Sequence, residues 1–535
     1  MATPTSSPDA SRPSRDDAVG GAYSRYVLGV LVVVYVFNFV DRQIISILAD
    51  EIKRDLDLSD ALISFLYGTV FAVFYAVFGL PLGRLADVWT RRSVIAMGLT
   101  VWSGMTALSG LAGNFFQLSA ARVGVGVGEA SATPAAFSML SDYFPPSVRA
   151  TVLAIYSSGI YIGSGIGIFI GGLTVDLWEG AYPLGTAPFG LHGWQVAFFI
   201  VGLPGLLLAI WVRTLREPVR GQSEGILTEQ AEHPFREFLT ELRSVLPPLT
   251  LFHLGRTGGW PVLRTNLWVA GGLSLGAWLL TLLLGTPAQW IALGIGLYAA
   301  ASWAQALALR DPPTFTLIFR TPTLIYAMLG FSFLGFSGYG IGFWTPPFFL
   351  RTHGISTSEA AMVLGLTAAV AGWLGITLGG VWCDRWRRSR RSARLLVGIC
   401  MAIVPIPFTV AMLTAESRAT AYVLNFFVSV GASMWIGGAA STVQDLVLPR
   451  MRAIASATYI LVITFVGLAL GPYTIGRLSD GLGDLRYAML FGLLANVLGA
   501  SFLLAAVRTF QRDEETRFER AAGAGEPIET QRPRG

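Results

Sequence analysis

The chain has 535 residues, of which 53% are hydrophobic and only 13% are charged. Soluble domains carry about 25% charged residues, so this composition excludes a water-soluble globule and predicts a protein embedded in a lipid bilayer. The net charge of +5 is no sign of nucleic-acid binding, because the basic residues, all arginine except Lys53, stand in short clusters between apolar stretches. Such an arginine bias is typical of GC-rich bacterial genomes.

Long apolar runs, each near the ~20 residues that a helix needs to cross a bilayer, fill most of the chain. Before them, residues 1–23 are polar and lack the apolar core of a signal peptide, so we expect a disordered cytoplasmic N-terminus. Six runs within 24–213 predict a first helical bundle, at 26–48, 61–82, 93–114, 116–140, 149–173 and 195–213. Six more within 310–508 predict a second bundle, at 323–348, 358–383, 393–414, 419–443, 453–475 and 486–507.

Between the bundles, the sequence predicts a cytoplasmic linker, 214–266, and an inserted transmembrane hairpin, 267–309, with runs at 267–285 and 288–309. Within the linker, residues 224–246 mix apolar and charged positions at helical spacing, which is typical of a helix on the membrane surface. Residues 509–535 are expected to form a cytoplasmic tail. The fourteen runs are continuous rather than alternating, which excludes a β-barrel and predicts an all-α polytopic membrane protein.

The arginine-rich loops predict the orientation in the membrane, because such loops stay on the cytoplasmic side. These loops contain Arg91 and Arg92, Arg149, the cluster at 385–394, and Arg450 with Arg452. Both termini and the linker are therefore expected in the cytoplasm, with the protein crossing the inner cell membrane many times.

An internal repeat relates the two bundles. Asp142 and Arg149 match Asp445 and Arg452, 303 positions later, and Gly163, Gly167, Gly172 and Asp176 match Gly467, Gly471, Gly476 and Asp480, 304 positions later. Gly83, Asp87 and Arg91 match Gly380, Asp384 and Arg388 at an offset of 297. Three patterned sites at nearly one spacing predict two pseudo-symmetric six-helix bundles.

The stretch GRLADVWTRR runs from Gly83 to Arg92. Gly83 allows helices to approach closely, Asp87 can cap a neighbouring helix, and Arg91 can pair with acids. Taken alone, it could be an ordinary basic loop. Together with its second copy, it resembles the major facilitator superfamily of secondary transporters, although Thr90 stands where that family usually has a glycine. The resemblance implies a cytoplasmic gate made of Gly83, Asp87, Arg91, Asp142, Arg149, Gly380, Asp384, Arg388, Asp445 and Arg452.

Charged residues within the apolar runs are candidates for function, because a charge inside a bilayer is costly. Glu129 stands about 20 Å into the fourth helix, and its alternative role is a structural ion pair. Asp41 and Arg42 project about 100° apart around the first helix, so each needs another partner, and Glu129 is the candidate for Arg42. Alternatively, Asp41 and Arg42 mark a helix end at the membrane interface.

The fourth run reads RVGVGVGEASATP from Arg122, and resembles the fourth-helix motif of the same superfamily. Its glycines lie inside a membrane helix, which favours close helix packing over nucleotide binding. With FNFVDRQI in the first helix, HGWQVAF at 192–198 and LREPVRG at 215–221, the chain resembles the spinster branch over nearly its whole length except 222–309. Animal members of that branch move sphingolipids and lysophospholipids and are regarded as proton-coupled.

By this resemblance, Asp41, Arg42 and Glu129 line a central cavity in which Arg42 and Glu129 form a switching pair, and we group Arg122 with them for substrate and proton coupling. The leading hypothesis is a proton-coupled transporter for an amphipathic anionic or zwitterionic lipid, whose tail meets a cavity built from Asn38, Tyr67, Phe71, Tyr339 and Trp344. The alternatives are a proton-coupled symporter of small organic anions and a lipid-sensing receptor without turnover.

No catalytic residue is predicted, because the four histidines, His192, His233, His253 and His353, fall outside the membrane runs or at their ends and no enzyme motif is visible. The two cysteines, Cys383 and Cys400, imply neither a disulfide framework nor a metal site. We expect no cofactor beyond a proton gradient, and a monomer whose partners are the bilayer, protons and a small amphipathic substrate.

Overall fold

The computed structural model describes residues 19–145, 148–183, 186–223 and 233–527. Most of the predicted N-terminal segment, 1–18, lies outside these ranges, and the first helix begins at Ala22. The helices of the N-terminal bundle are α1 (Ala22–Asp55), α2 (Asp60–Tyr67), α3 (Thr69–Val88), α4 (Arg91–Ser109), α5 (Phe115–Glu129), α6 (Ala132–Tyr143), α7 (Arg149–Ser157), α8 (Gly159–Ala181) and α9 (Gly193–Arg213).

The second half of the described chain is also helical. The linker and hairpin form α10 (Pro234–Val245), α11 (Leu249–Leu284) and α12 (Pro287–Arg310). The C-terminal bundle consists of α13 (Pro312–Phe319), α14 (Pro322–His353), α15 (Thr357–Arg387), α16 (Ala393–Ile403), α17 (Pro405–Thr414), α18 (Arg418–Met434), α19 (Ile436–Asp445), α20 (Arg452–Ile463), α21 (Leu470–Leu482), α22 (Leu485–Gly492), α23 (Leu494–Glu515) and α24 (Arg517–Gly523). A π-helical stretch, Thr464–Ala469, joins α20 to α21.

Several membrane spans are broken into two helices. A break at Gly68 separates α2 from α3, and proline at 405 begins α17 directly after α16. Twelve spans of the described chain are long and apolar enough to cross a membrane. The predicted runs at 93–114 and 116–140 are the helix α4 and the broken pair α5–α6, so all fourteen predicted runs are helical.

The two bundles repeat one another in detail, which confirms the predicted duplication. Arg91 at the start of α4 pairs with Asp142, and Arg394 in the first turn of α16 pairs with Asp445, each pair being 51 residues apart. Arg388, predicted as the counterpart of Arg91, is therefore the wrong arginine. Arg91 follows Asp87 by four positions, whereas Arg394 follows Asp384 by ten, so the offset changes from 297 at Asp384 to 303 at Arg394.

The linker helix α10 rests on the N-terminal bundle. Arg84 of α3 donates to Glu237 at 2.6 Å, and the rings of Trp89 and Phe235 pack with centroids 5.0 Å apart. These contacts hold the amphipathic helix predicted within the linker against the end of α3 and the loop that follows it.

The inserted hairpin is longer than predicted. Helix α11 begins at Leu249, so residues 249–266, assigned to the linker, belong to the helix, which bends at Gly259 with φ +67°. Arg256 and Arg264 interrupt the apolar run there, so hydropathy alone places the start of the hairpin too late. Within the hairpin, buried Asn266 donates to Ser302 and Gln305 and accepts from Tyr298, which ties α11 to α12 by hydrogen bonds.

The hairpin lies outside both bundles, against the seam where α3 meets the π-helical stretch. Thr69 of α3 is 2.6 Å from the side chain of Gln289 in α12 and 2.9 Å from the carbonyl oxygen of Ala469. Gly296 of α12 lies so close to Phe465 that a methyl group there would be 2.6 Å from its ring. One hydroxyl thus contacts the hairpin and both bundles.

A C-terminal latch joins α24 to the rest of the bundle through Arg450. Its guanidinium donates to Asp311 at 2.8 Å and to Glu526 at 2.6 Å. These bonds lower the pKa of Asp311 to about 2 and hold the pKa of Glu526 below its usual range. The latch therefore joins the exit of the hairpin, the loop before α20 and the end of the described chain.

The latch is expected to open in acid. Since both pKa values are lowered, its contribution is complete above the ordinary carboxyl pKa values near 4 and is lost as the pH falls toward about 2. A spin label at Gly523 should therefore be immobile between pH 5 and 7 and gain mobility below about pH 4. Arg450→Ala should free the label at pH 7, and a label that stays immobile in that variant would contradict the assignment.

Candidate functional site

The centre of the N-terminal bundle contains an ion pair between α1 and α5. Arg42 Nε donates to Glu129 Oε2 at 2.6 Å. The Glu129 side chain is fully buried, whereas 17% of the Arg42 side chain is exposed. The contact proposed from the sequence is thus present, and the pair lies deep in the bundle rather than at a membrane interface.

Aromatic rings surround the Arg42 guanidinium. Its central carbon is 4.9 Å from the ring centre of Phe39, 4.5 Å from that of Phe71 and 4.8 Å from that of Tyr75. Cation–π contacts with desolvated rings contribute up to about 2 kcal/mol each. Sequence reasoning missed Phe39 and Tyr75, although both were detectable, since they stand three and four residues from Arg42 and Phe71 on the same helices.

Asp41 and Arg122 lie beside the Arg42–Glu129 pair. Arg122 is completely buried, has its guanidinium 5.6 Å from the Phe71 ring centre, and reaches the backbone oxygen of Asp41 at 3.4 Å. Neither carboxylate oxygen of Asp41 has a hydrogen-bond partner among the described residues, nor do Arg122 Nη2, Glu129 Oε1 or Asn38 Oδ1. A buried site with this many unpaired polar atoms can receive protons, water or a polar ligand.

The residues predicted to line the cavity divide into two groups. Asn38 and Phe71 lie at the charged site, and Tyr339 of α14 in the C-terminal bundle is 37% exposed. Tyr67 is buried and stacks on Phe343 with ring centres 4.3 Å apart, so it closes the contact between the bundles.

Trp344 was predicted to line the cavity, and this prediction is wrong. The residue is fully buried, and its indole nitrogen donates to the Pro472 carbonyl oxygen at 3.0 Å. Five residues separate Trp344 from Tyr339, a rotation of about 140° around the helix, so the two side chains face different directions.

One end of the molecule, here called the closed end, joins the two bundles by charged groups. Arg351 of α14 donates to Asp50 of α1 at 3.0 Å and to Asp60 of α2 at 2.8 Å. Ser479 of α21 also donates to Asp60, at 2.7 Å. Sequence reasoning missed this cluster, because Arg351 is a single arginine at a helix end and its acid partners lie in the other bundle.

The other end, here called the basic end, carries Arg91, Arg149, Arg394 and Arg450. Arg91 pairs there with Asp142 and, through Nε, with Glu217 at 2.9 Å. Glu217, within the LREPVRG stretch, also accepts from the backbone nitrogens of Arg91 and Arg92 and so caps α4. In the described ranges, every ion pair between the two bundles lies at the closed end, and those at the basic end stay within one bundle or reach the linker.

The predicted gate residues have different surroundings in this conformation. A methyl group at Gly83 would have a single ordinary contact, 3.9 Å from Pro134, and one at Gly380 would meet no neighbour within 4 Å. The close helix approach predicted at these glycines is therefore absent in this conformation, in which no described ion pair joins the bundles at the basic end. Asp87, Asp384 and Arg452 are exposed.

Arg149 and Asp445 bind within their own bundles or to the linker. Arg149 donates to the backbone oxygen of Ser141 at 3.1 Å and to the hydroxyl of Ser223 at 3.2 Å. Asp445 accepts from both Arg387 and Arg394, which places its carboxylate in the same role as that of Asp142.

Asp87→Asn is expected to favour the observed conformation, because an acid that caps a helix of the other bundle would contribute about 0.3–1 kcal/mol only when the basic end closes. Distances between spin labels at Val219 and Phe518 should shift toward the larger separation. Glu237→Gln, which removes an acid from the same end, should leave them unchanged. Identical distributions in Asp87→Asn and the unaltered protein would remove Asp87 from the gate.

A second cavity lies inside the C-terminal bundle and has a volume of about 80 Å³. Uncharged polar groups line it from α14, α17, α18 and α23, namely Ser337, Thr345, Thr409, Asn425, Ser429 and Asn496. This space can hold several water molecules or a small hydroxyl or amide group. The two bundles therefore differ in chemistry, since the charged groups are in the first and the neutral polar cavity is in the second.

The fold, the duplication and the buried charges define a secondary transporter. The chain belongs to the Major Facilitator Superfamily, whose pattern matches residues 31–472. Within that superfamily it is related to the spinster proteins. Human "Protein spinster homolog 1" is 26% identical over 492 residues, 89% of this chain and 76% of that protein.

Two other relatives add to this comparison. An "MFS-type efflux pump" of Mycolicibacterium smegmatis is 28% identical over 478 residues, which cover 89% of this chain and 88% of the relative. The structure of a bacterial homolog of the human lysosomal transporter spinster, in an inward-facing and unoccupied conformation, aligns with a TM-score of 0.67 and 26% identity, covering 92% of this chain and 98% of the other. A D-xylose-proton symporter shares the fold at 15% identity.

Proposed function

We propose that this protein is a proton-coupled secondary active transporter that works by alternating access. Its substrate is an amphipathic anionic or zwitterionic lipid-like molecule of the lysophospholipid or sphingoid phosphate class. The observation that carries the proposal is the Arg42–Glu129 pair, because it places an exchangeable cation and a carboxylate together inside an aromatic cage.

The charged site favours an anionic headgroup. Arg42 remains partly exposed, so an anion can replace Glu129 as its partner. Glu129 then loses its partner and takes a proton, because an unpaired charge in this buried position is costly. Asp41, whose carboxylate oxygens accept no hydrogen bond from the described residues, offers a second position for a proton.

The apolar surroundings favour a substrate with a hydrocarbon part. The groups next to Arg42 are the rings of Phe39, Phe71 and Tyr75. These rings offer a hydrocarbon tail an apolar surface to pack against. The relative described as an efflux pump supports export as the direction of transport. The molecule crosses the membrane unchanged, so we assign no catalytic step and no cofactor beyond the proton gradient.

For orientation, we place the basic end and both termini in the cytoplasm of a cell whose inner membrane holds the protein as a monomer. The arginine clusters at 385–394 and around Arg91 support this, since basic loops stay on the cytoplasmic side. The conformation described above, joined at the closed end and apart at the basic end, is then inward-open.

Reconstituted vesicles test the proposal directly. The purified full-length protein would be supplied with a labelled lysophospholipid, a sphingoid phosphate or small organic acids, each with and without a pH gradient. We expect flux of the two lipids that rises with the gradient. Flux of organic acids alone would instead identify a small-anion symporter, and binding of lipid without any flux would identify a lipid-sensing receptor.

A further inference from the structure

Two aspartates that the repeat relates to each other, Asp176 and Asp480, connect the bundles at the closed end. Asp480 of α21 accepts from the backbone nitrogens of Asp60 and Ala61, both at 2.9 Å, in the first turn of α2. Asp176 of α8 accepts from the backbone nitrogen of Ser358 at 3.1 Å, in the first turn of α15. Each bundle thus supplies a carboxylate to a helix N-terminus of the other.

The capped helices are themselves related by the repeat. Both begin after a serine that caps its own helix, since Ser59 accepts from Leu62 and Ser356 accepts from Glu359. The serine in each case satisfies the third amide of the helix and leaves the first two free. The carboxylate from the other bundle then takes one or both of these remaining amides.

A glycine one turn before each aspartate makes the contact possible. A methyl group at Gly476 would be 2.5 Å from the backbone oxygen of Asp60, and one at Gly172 would be 2.8 Å from the backbone oxygen of Thr357. Only glycine allows the helices of the two bundles to approach this closely at these positions. The pattern Gly-x-x-x-Asp therefore provides both the approach and the cap.

We propose that Asp176 and Asp480 are a symmetric pair of gating residues that hold the closed end shut by capping helices of the opposite bundle. The inference rests on the proposed alternating access. When the closed end opens, the two helix N-termini separate from the carboxylates, and water takes over their amides. Both caps are lost in that step, so each one favours the present conformation.

The two contacts between the bundles at the closed end, α2 with α21 and α8 with α15, are not equally reinforced. Beside the Asp480 cap, Asp60 also receives Arg351 and Ser479, so an acid within the capped helix is itself held by the other bundle. The Asp176 cap has Thr357 in the place of Asp60 and is formed by one hydrogen bond. We therefore expect the contact between α2 and α21, which includes the Asp480 cap, to be the stronger of the two.

Electron spin resonance distances test the gate. Labels at Phe116 and Tyr487, both exposed at the closed end of different bundles, would be introduced into a Cys383→Ala, Cys400→Ala background. Asp176→Ala and Asp480→Ala are each expected to raise the ratio of open to closed populations by about two- to fivefold. Because the two caps lie on different pairs of helices, the double variant should raise this ratio by about the product of the two single increases.

Matched controls come from caps within a single bundle at the same end. Asp484 caps α22 through Arg486 at 2.7 Å, and Asn114 caps α5 through Gln117 at 2.9 Å. Asp484→Ala and Asn114→Ala remove comparable caps and should leave the distance distribution unchanged. A shift as large in these controls would overturn the proposal, since it would show that any loss of a cap opens this end.

Conservative variants cover the case in which the double variant does not fold. Asn keeps one acceptor but not the charge, so Asp176→Asn and Asp480→Asn should give smaller shifts than alanine. Suppose the distances stay unchanged in the folded alanine and asparagine single variants while lipid flux is intact. This result would refute the gating role of the two aspartates and leave the proposed function standing. Shifted distances without flux of any lipid would retain the gate and refute the proposed substrate.

Discussion

Glu129→Gln is expected to uncouple transport from the proton gradient. One coupled proton allows a gradient of one pH unit to support about a tenfold accumulation of substrate. Glutamine cannot take or release this proton, so the accumulation ratio should fall to about one while downhill flux of lipid persists. The side chain keeps its size, and Arg42 keeps a hydrogen-bond acceptor, so binding of substrate should remain at least in part.

The measurement is accumulation in vesicles with and without a pH gradient, beside binding to the purified protein. Glu237→Gln, which neutralises an exposed acid in α10, is the matched control and should leave coupling intact. A Glu129→Gln protein that still accumulates substrate in response to the gradient would show that the residue is structural. Asp41 would then be the next candidate, and Asp41→Asn the next variant.

Arg42→Ala is expected to lose both substrate binding and stability. Removing one partner of a buried ion pair leaves the other charge uncompensated and costs about 3–5 kcal/mol. For binding, loss of the charged partner of an anionic headgroup should weaken affinity by more than about thirtyfold. The two effects can be separated, because only the loss of stability depends on the charge of Glu129.

The double variant Arg42→Ala, Glu129→Gln makes this separation, since it removes the uncompensated charge. Thermal stability should recover substantially relative to Arg42→Ala, whereas lipid binding should not. Arg54→Ala, which breaks an exposed pair on the same helix, is the control for both measurements. Retained lipid binding in a folded Arg42→Ala protein would exclude the arginine as the headgroup ligand.

Much of the fold follows from sequence patterns because bilayer-spanning helices are long and their periodic signals are strong. The duplication was visible in Asp142 and Asp445, whose equivalence requires only a common spacing. The contact of Arg42 with Glu129 was also predictable, since two buried opposite charges without local partners have few ways to be satisfied. These inferences depend on the free-energy cost of burying a charge and on the periodicity of the sequence, and both can be judged from a single sequence.

Other features depend on three-dimensional placement. The pairing of Asp445 with Arg394 rather than Arg388 results from a longer loop, which letter matching cannot detect. Trp344 was assigned to the cavity by residue type, although its direction is set by the turn of α14. The cluster around Arg351 joins residues some 300 positions apart, and nothing in the local sequence specifies that these helix ends meet.

The position of α12 gives the protein a front and a back within the plane of the membrane. On one side, a lipid molecule in the surrounding leaflet meets the outer surface of the hairpin before it can reach α3. On the other side, α8 and α15 pack closely against each other, since a methyl group at Gly165 would be 2.3 Å from the carbonyl oxygen of Gly365. The junction of the bundles is thus covered by the hairpin on the α3 side, whereas on the α8 side it is sealed by the direct contact of glycines.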